Sequence, residues 1–433
     1  MEGRPAGPGP DRAAGRVVTA TAGTRSLWRS PDFTLLWTAN TASQVGTRIA
    51  AVAVPLLAVT VLNATAWQIG LLSSVQSAGI ILVGLPAGAW VDRIRRRRLM
   101  LGMDLLRAAV LLALPVAGAL GILRLGLLFP VALVTSAATA FFDIAHQTYL
   151  PTLVGTDRVV EANAKIQASQ SIAGASGPGL GGALVGLVGA ANAIVATCLT
   201  FVLSFATLSR IGRVEPAPEP RADRHLVAEI AEGLRYVLGD RVLRAIALCT
   251  ATANLFMAVV VSLMVVFLVR VVGLGPLPIG LILAESALGG VLGALTVRRW
   301  MRLLGLPRTI WLSMLVTQPF ALLLPWAHRD YRLVLFLAGW LVLGYGSTIY
   351  NITQVSLRQA SCPNRLLGRV QASNRFFAWG TLPFGGLLAG GLGTWLGLRP
   401  ALLIAAVGLA AATLWLTLSP LPRAASDPVP ARG

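Results

Sequence analysis

Long apolar runs separated by short polar breaks fill the chain from residue 34 to residue 419. A helix needs about 20 mostly apolar residues to cross the hydrocarbon core of a bilayer, where backbone donors and acceptors must be bonded within the helix itself. Cutting the runs at Gly, Pro and charged residues gives twelve spans: 34–61, 67–90, 100–122, 126–150, 164–187, 190–209, 243–270, 276–297, 307–327, 332–356, 368–393 and 398–419. The pattern predicts an all-α polytopic membrane protein. An even number of crossings returns both termini to one side.

Composition agrees. Apolar residues make up 55% of the chain and charged residues 12%, where a soluble domain carries about a quarter charged residues. The formal charge of +19 is unevenly placed: 28 of the 36 Arg and Lys fall in the tails and even-numbered connections, five in the opposite connections, and three (Arg48, Arg107, Arg375) within spans. By the positive-inside rule both termini are expected in the cytoplasm of a plasma-membrane protein. The basic residues are scattered through loops with no aromatic-interleaved basic domain, which argues against a nucleic-acid partner. The first 30 residues lack the apolar region of a secretory signal peptide and are expected to stay in the cytosol. Cys198, Cys249 and Cys362 show no metal-ligand or disulfide spacing and read as packing residues, so neither metal nor cofactor is expected.

The longest internal connection opens with "RVEPAPEPRADR" and divides six spans from six. This gives a tail (1–30), a six-helix bundle (31–209), a linker (210–242), a second bundle (243–419) and a second tail (420–433). Within the linker, Leu226, Ile230, Leu234, Val237 and Leu238 share a helical face, as in an amphipathic helix lying on the inner membrane surface. The two bundles echo each other. "KIQAS" at 165–169 returns as "RVQAS" at 369–373, and the pair Gly181, Gly182 returns as Gly385, Gly386, both 204 residues on. "QIGLL" at 68–72 returns as "PIGLI" at 278–282, 210 residues on, an offset that sets Gln44 opposite Asn254. Two six-helix copies in one orientation suit a transporter that rocks its halves about a midplane site.

The segment "GLPAGAWVDRIRRRR" at 84–98 resembles the loop between helices two and three of the major facilitator superfamily, with Gly84 at its head and Gly88, Asp92, Arg93, Arg96 and Arg97 on the signature positions; Arg95 replaces the second family glycine. "GPGLGG" at 177–182 resembles the helix-five motif of exporters in that superfamily, although Ala173 stands where a glycine is expected. "FFDIAHQTYLPTLV" at 141–154, "EGLRYVLGDRVLR" at 232–244 and "LLGRVQASNRFF" at 366–377 resemble drug and siderophore exporters of actinobacteria and their relatives. The resemblance implies the twelve-helix major facilitator fold and efflux. It also implies a gate in which Asp92, with Arg93, Arg97 and Arg369, latches onto the start of helix eleven. The bland alternative is a basic cluster that only sets topology. The span-four arginine linked to proton coupling in many relatives has no counterpart here.

Ionisable groups within lipid are costly and usually face a cavity. Glu285 or Asp143 is the expected proton carrier, with His146 close by in sequence and Arg48 a counter-charge or substrate ligand. The alternative for such residues is a fixed ion pair, as Asp104 and Arg107 would form at i, i+3 spacing. Gln44, Asn254, Gln318 and Asn351 supply uncharged polar groups near mid-span. Gly177, Pro178, Gly181 and Gly182 suit either tight helix packing or a dedicated leak barrier.

No Ser/His/Asp, metal-ligand, Walker or Rossmann constellation occurs, so the chain does not read as an enzyme. The expected activity is export of an amphiphilic small molecule (drug, antibiotic or siderophore) by a monomer surrounded by membrane lipid, in exchange for protons. The competing readings are a sensor or scaffold on the same fold, or an importer or lipid mover.

Overall fold

The computed structural model describes residues 27–84, 94–213, 215, 234–362, 370, 373–374 and 377–423. Among them every regular element is helical. The first half holds α1 (Pro31–Leu56, continued by a wider turn over Leu57–Val61), α2 (Ala66–Gly84), α3 (Arg96–Ala119) and α4 (Leu125–Val154), followed by a long helical run, Val159–Ser209. That run is two helices, α5 (159–188) and α6 (190–209), because Gly189 at φ 83°, ψ 161° reverses the chain with no intervening loop. An L side chain rarely adopts that conformation, so a glycine is required. The second half holds α7 (Arg241–Arg270), α8 (Pro276–Leu304), α9 (Leu306–Thr317, continued as a tighter 3-10 run over Gln318–Trp326), α10 (Leu333–Ser361), α11 (Leu382–Trp395) and α12 (Leu398–Ala412, extended by Leu414–Thr417).

Twelve segments thus occupy the twelve expected spans. Hydropathy marks the lipid core and not the helix ends, and the ends differ accordingly. α8 runs to Leu304 where the arginines at 298 and 299 suggested a stop, α3 starts at Arg96, α5 at Val159, and α10 continues to Ser361. Long Arg side chains reach headgroups without breaking a helix. α9 changes pitch after Thr317 because Pro319 and Pro325 remove two backbone donors. The starts follow local chemistry. Thr65 and Gln68 form a capping box on α2, with the Thr65 N–H donating to Gln68 Oε1 at 2.8 Å and the Gln68 N–H to Thr65 Oγ1 at 3.3 Å. Asp240 caps α7 by accepting from the Val242 and Leu243 N–H groups at 2.8 and 2.9 Å. The linker departs from a helix flat on the membrane: residues 234–239 are helical, but Val237 is buried against Leu243, Ala247, Cys362 and Val370 of the second half. Leu226 and Ile230 lie outside the described residues.

The sequence echoes turn out to be the seams between the halves. A Cβ at Gly182 of α5 would lie 2.5 Å from the Pro276 carbonyl oxygen and 2.8 Å from Gly280 Cα of α8. A Cβ at Gly386 of α11 would lie 2.7 Å from the Gly70 carbonyl oxygen of α2. The Gly pair of each half therefore closes on the Ile-Gly of the other. The same pairs hold α1 and α7: Gly181 abuts Ile49 and Val52, and Gly385 abuts Leu255 and Ala258, which sets the offset between α1 and α7 at 206 residues. That register corrects the sequence alignment of the two helices. Arg48, not Gln44, is the counterpart of Asn254. In the same way Gly79 meets Leu133 and Gly289 meets Leu341, an offset of 208 between α4 and α10 that makes Asn351 the counterpart of Asp143.

The seams lie toward one end. There Ser262 Oγ donates to Ser73 Oγ at 2.7 Å, Ser74 Oγ to the Pro383 carbonyl at 2.7 Å, and Arg270 to the Ala64 carbonyl at 2.7 Å. A shared apolar core with Leu57, Ile69, Leu263, Ile279 and Ala389 fills this distal end. At the opposite, basal end, where α1 and α7 begin, each half has its own core, around Phe33, Phe142 and Leu208 or around Ile246, Met314 and Leu357. Among the described residues, the halves are joined distally and separate basally.

Candidate functional site

Inside the first half, α1, α3, α4 and α6 converge on a buried ionic core. Asp104 and Arg107 sit one turn apart on α3 and form the expected i, i+3 pair, both essentially inaccessible. Arg107 donates to Ser43 Oγ of α1 at 2.9 Å and to Thr139 Oγ1 of α4 at 3.4 Å, and Ser204 Oγ of α6 donates to Asp104 Oδ2 at 2.6 Å. The guanidinium lies between two rings, 4.6 Å from the centroid of Phe142 and 4.3 Å from that of Phe201. A buried charge is tolerable only when paired and bonded in this way. Hydropathy alone does not reveal this core, and only the i, i+3 spacing in the sequence signals it.

Next to it lies a second, more open cluster. Gln44 Nε2 donates to Asp143 Oδ1 at 3.2 Å, and Arg107 and Arg48 are the cations whose charge bears on the Asp143 carboxylate. Asp143 is half-buried and Arg48 exposed. A side chain at Gly177 would run into the stem of Arg48, so the first glycine of "GPGLGG" makes room for this arginine. Pro178 offers its carbonyl at the α8 seam, within 2.5 Å of where a Cβ on Gly280 would stand. Gly181 and Gly182 fill the packing role described above. His146 stacks on Phe142 with ring centroids 6.4 Å apart, and its Nε2 has no partner.

The second half carries amides where the first carries charges. Asn254 stands at the position of Arg48 and Asn351 at that of Asp143; Asn254 donates to the Ala378 carbonyl at 2.8 Å, and Asn351 is exposed and accepts from Gln354 at 3.4 Å. The pseudo-twofold relation places these four positions on α1, α4, α7 and α10, the helices that the α2–α11 and α5–α8 seams leave facing one another. Two candidates lie apart from them. Gln318 is buried at the pitch change of α9, bonded to Met314 Sδ at 3.5 Å, with its Oε1 unpartnered. Glu285 is half-buried on α8, its Oε2 without a partner and no cation paired with it among the described residues.

Gly84 ends the described part of α2; Gly88, Asp92, Arg93 and Arg369 lie outside the described residues. The two remaining gate arginines are engaged within the first half. Arg97 donates to the carbonyls of Leu208 and Ser209 at the end of α6, at 3.0 and 2.6 Å. Glu215, a residue sequence reasoning passed over, accepts from the backbone N–H groups of Arg96 and Arg97 at 2.8 and 3.1 Å, and its carboxylate lies 3.7 Å from the Arg96 guanidinium. Arg213 donates to the Leu153 carbonyl at 2.6 Å, and the Gly212 N–H to Asp32 at 3.1 Å. Residues 211–213 and 215 thus strap the basal ends of α1, α3 and α4, with an acid at a helix start and a base at a helix end, each opposing the helix dipole.

Comparison with known proteins agrees with this architecture. A profile of the transmembrane secretion effector family matches residues 22–432. The multidrug efflux pump Tap of Mycolicibacterium fortuitum is 30% identical over 396 residues, covering 87% of this chain and 92% of that protein. The enterobactin exporter EntS of Shigella dysenteriae serotype 1 is 28% identical over 357 residues, covering 78% and 80%. Among solved structures, a bacterial homologue of the lysosomal transporter Spinster, inward-facing and occupied, superposes with a TM-score of 0.72 at 15% identity over 94% of this chain and 100% of that one. A bacterial homologue of the iron transporter ferroportin, in an inward-facing state, gives 0.72 at 17% identity over 91% and 99%. At these identities the structures speak to the fold alone. The matched profile, the exporter relatives and the two interlocked six-helix bundles together make this chain a member of the transmembrane secretion effector family, within the major facilitator superfamily of transporters.

Proposed function

We propose that this protein is a secondary active exporter that moves an amphiphilic small molecule out of the cell in exchange for protons, by alternating access, with both termini in the cytoplasm. The observation that carries the reading is the charge asymmetry of the central positions: Arg48 and Asp143 in the first half against Asn254 and Asn351 in the second. A half-buried carboxylate bonded to the Gln44 amide is suited to exchanging a proton for a cationic or polar group of the cargo. The amide-bearing half offers hydrogen bonds without charge, fitting a large, weakly polar molecule. The efflux of a drug by Tap and of a siderophore by EntS supports this class of cargo.

With the arginine-rich face cytoplasmic, the distal seams close the outer side and the basal separation corresponds to an inward-facing state. Rocking would open the seams and bring the basal ends together, where Asp92 and Arg369 form the latch. Accumulation of ethidium in an efflux-deficient host, with and without a protonophore, tests the reading. Expression should lower accumulation, and the protonophore should restore it. Asp143→Asn and Glu285→Gln identify the proton carrier, and pH-driven efflux intact in both rejects proton exchange at either residue. Asp92→Asn should slow transport without impairing membrane insertion; transport at the wild-type rate rules out the latch.

A further inference from the structure

One group of buried polar atoms in the first half has no partner among the described residues. Asn40 on α1 is 1% exposed, yet neither its Oδ1 nor its Nδ2 is hydrogen-bonded. His146 Nε2 and Tyr149 Oη on α4, and Nε of Arg107 on α3, are in the same condition. Buried amides, imidazoles and phenols are nearly always satisfied, by protein or by ordered water, and a water needs two to four polar neighbours.

These atoms form a sequence in space. Arg107 is bonded to Ser43, and Asn40 lies one turn toward the basal end on the same buried side of α1. Phe142 bridges Arg107 and His146, stacking on one and lying under the other. Tyr149, a further turn down α4, belongs with Leu36 and Ala39 of α1 to the basal core, which places α1 and α4 on the same core at this level. Below Tyr149 is the strap: Ile211 shares the basal core with Tyr149 and Leu153, Arg213 donates to the Leu153 carbonyl one turn further down α4, and Glu215 caps the start of α3 at Arg96 and Arg97. From Asp143 to Tyr149 the rise along α4 is about 9 Å at 1.5 Å per residue, a gap that a few bridging waters cover.

We propose that Asn40, His146 and Tyr149 hold a file of ordered water linking the Asp104–Arg107–Asp143 cluster to Glu215 at the basal face, and that this file carries protons between them. The inference rests on the proton-exchange reading and specifies its route. A proton entering at Glu215 is relayed along the waters as one leaves at the other end, so each water is regenerated and no other reactant is consumed. The charged and titratable groups facing the file are Asp32 and Arg48 from α1, Arg97, Asp104 and Arg107 from α3, Asp143, His146 and Tyr149 from α4, and Arg213 and Glu215 from the strap. The route bypasses the central space, so cargo and proton need not share a path to the basal side.

Radiolytic hydroxyl labelling of the purified full chain in ¹⁸O-water, with reconstituted vesicles for transport, tests both parts. Hydration predicts ¹⁸O incorporation at His146 and Tyr149 severalfold faster than at the equally buried Phe33 and Phe201. Rates no higher than those phenylalanines mean a dry core and overturn the file. Asn40→Leu should drop the labelling of Tyr149 to the level of Phe33. It should also lower the ratio of pH-gradient-driven ethidium uptake to gradient-free ethidium counterflow, by at least about tenfold if relay limits exchange. Tyr149→Phe, which removes a single oxygen, should lower the same ratio and serves if Asn40→Leu fails to fold. Labelling lost with the ratio unchanged in both variants makes the water structural and overturns the proton route. Ethidium transport by the unaltered protein that is indifferent to a pH gradient overturns the proton-exchange reading itself, a result that the labelling arm separates from a dry core.

Discussion

Gly280→Ala should push the protein toward its distally open state. The added methyl would lie 2.5 Å from the Pro178 carbonyl oxygen and 2.8 Å from Gly182 Cα, against backbone atoms that no rotamer change can move aside. Ordinary carbon contacts are about 3.5–4.0 Å, so α5 and α8 must part by roughly 1 Å at the crossing. Overpacking of this kind typically costs about 1–3 kcal/mol. In the proposed alternating access the contact exists only while the distal seam is closed, so the whole penalty falls on one state, and 1–3 kcal/mol corresponds to about a 5–150-fold change in the ratio of two states. The reporter is a single cysteine at Ser262, a buried residue bonded to Ser73 in the other half, in a background lacking Cys198, Cys249 and Cys362. Its rate of modification by a membrane-impermeant thiosulfonate should rise in proportion. The reporter is on α7 and the perturbation on α8 at the α5 crossing, so a response requires the halves to separate as rigid bodies. An unchanged rate in a protein that is folded by gel filtration and thermal melting would refute both the packing argument and the rigid-body picture.

Further tests address other parts of the structure. Asp104→Asn leaves Arg107 buried with its counter-charge gone and should lower stability by about 3–5 kcal/mol, whereas the paired replacement Asp104→Leu with Arg107→Met should lose much less; thermal melting in detergent compares them. Glu215→Ala removes the cap on two backbone donors at the start of α3 and should cost about 0.5–2 kcal/mol in the same assay. Arg270→Gln weakens the charge-assisted bond to the Ala64 carbonyl across the distal seam, worth about 1 kcal/mol, and should speed Ser262→Cys labelling in the same direction as Gly280→Ala, but less. Gly177→Leu puts a branched side chain at a buried position against the stem of Arg48, and should displace Arg48 from α5, lower the melting temperature and reduce ethidium efflux.

The crossings, their number and their two-copy order are legible in the sequence because burial in lipid demands uninterrupted apolar runs, and because Gly pairs at helix crossings cannot drift without a clash. "KIQAS" and "RVQAS" flag the duplication, but the residues beneath it are the glycines that follow and the Ile-Gly of the opposite half, whose meeting only coordinates reveal. Register is harder. The echoes at 68–72 and 278–282 suggest 210 residues between copies, yet α1 and α7 keep 206 and α4 and α10 keep 208, since the loops between spans absorbed the differences. Pairing Arg48 with Asn254 depends on those few residues. The i, i+3 spacing signalled the Asp104–Arg107 pair, but its partners on α1, α4 and α6 and the strap at 211–213 and 215 were hidden for another reason: hydropathy treats Asp104, Arg107 and Glu215 as interruptions, and cannot tell a charge that ends a helix from one satisfied by three neighbouring helices.

The reversal at Gly189 has company. Asn63, Gly121, Gly273 and Gly397 each take positive φ at other distal turns, so most helices on that face meet in tight corners, whereas the α9–α10 turn exposes Arg329, Asp330 and Tyr331. With the distal face outward, as proposed above, the protein would offer few footholds to anything approaching from that side, such as an antibody, a protease or a phage. An organism could carry it in quantity while displaying little of it to the surroundings.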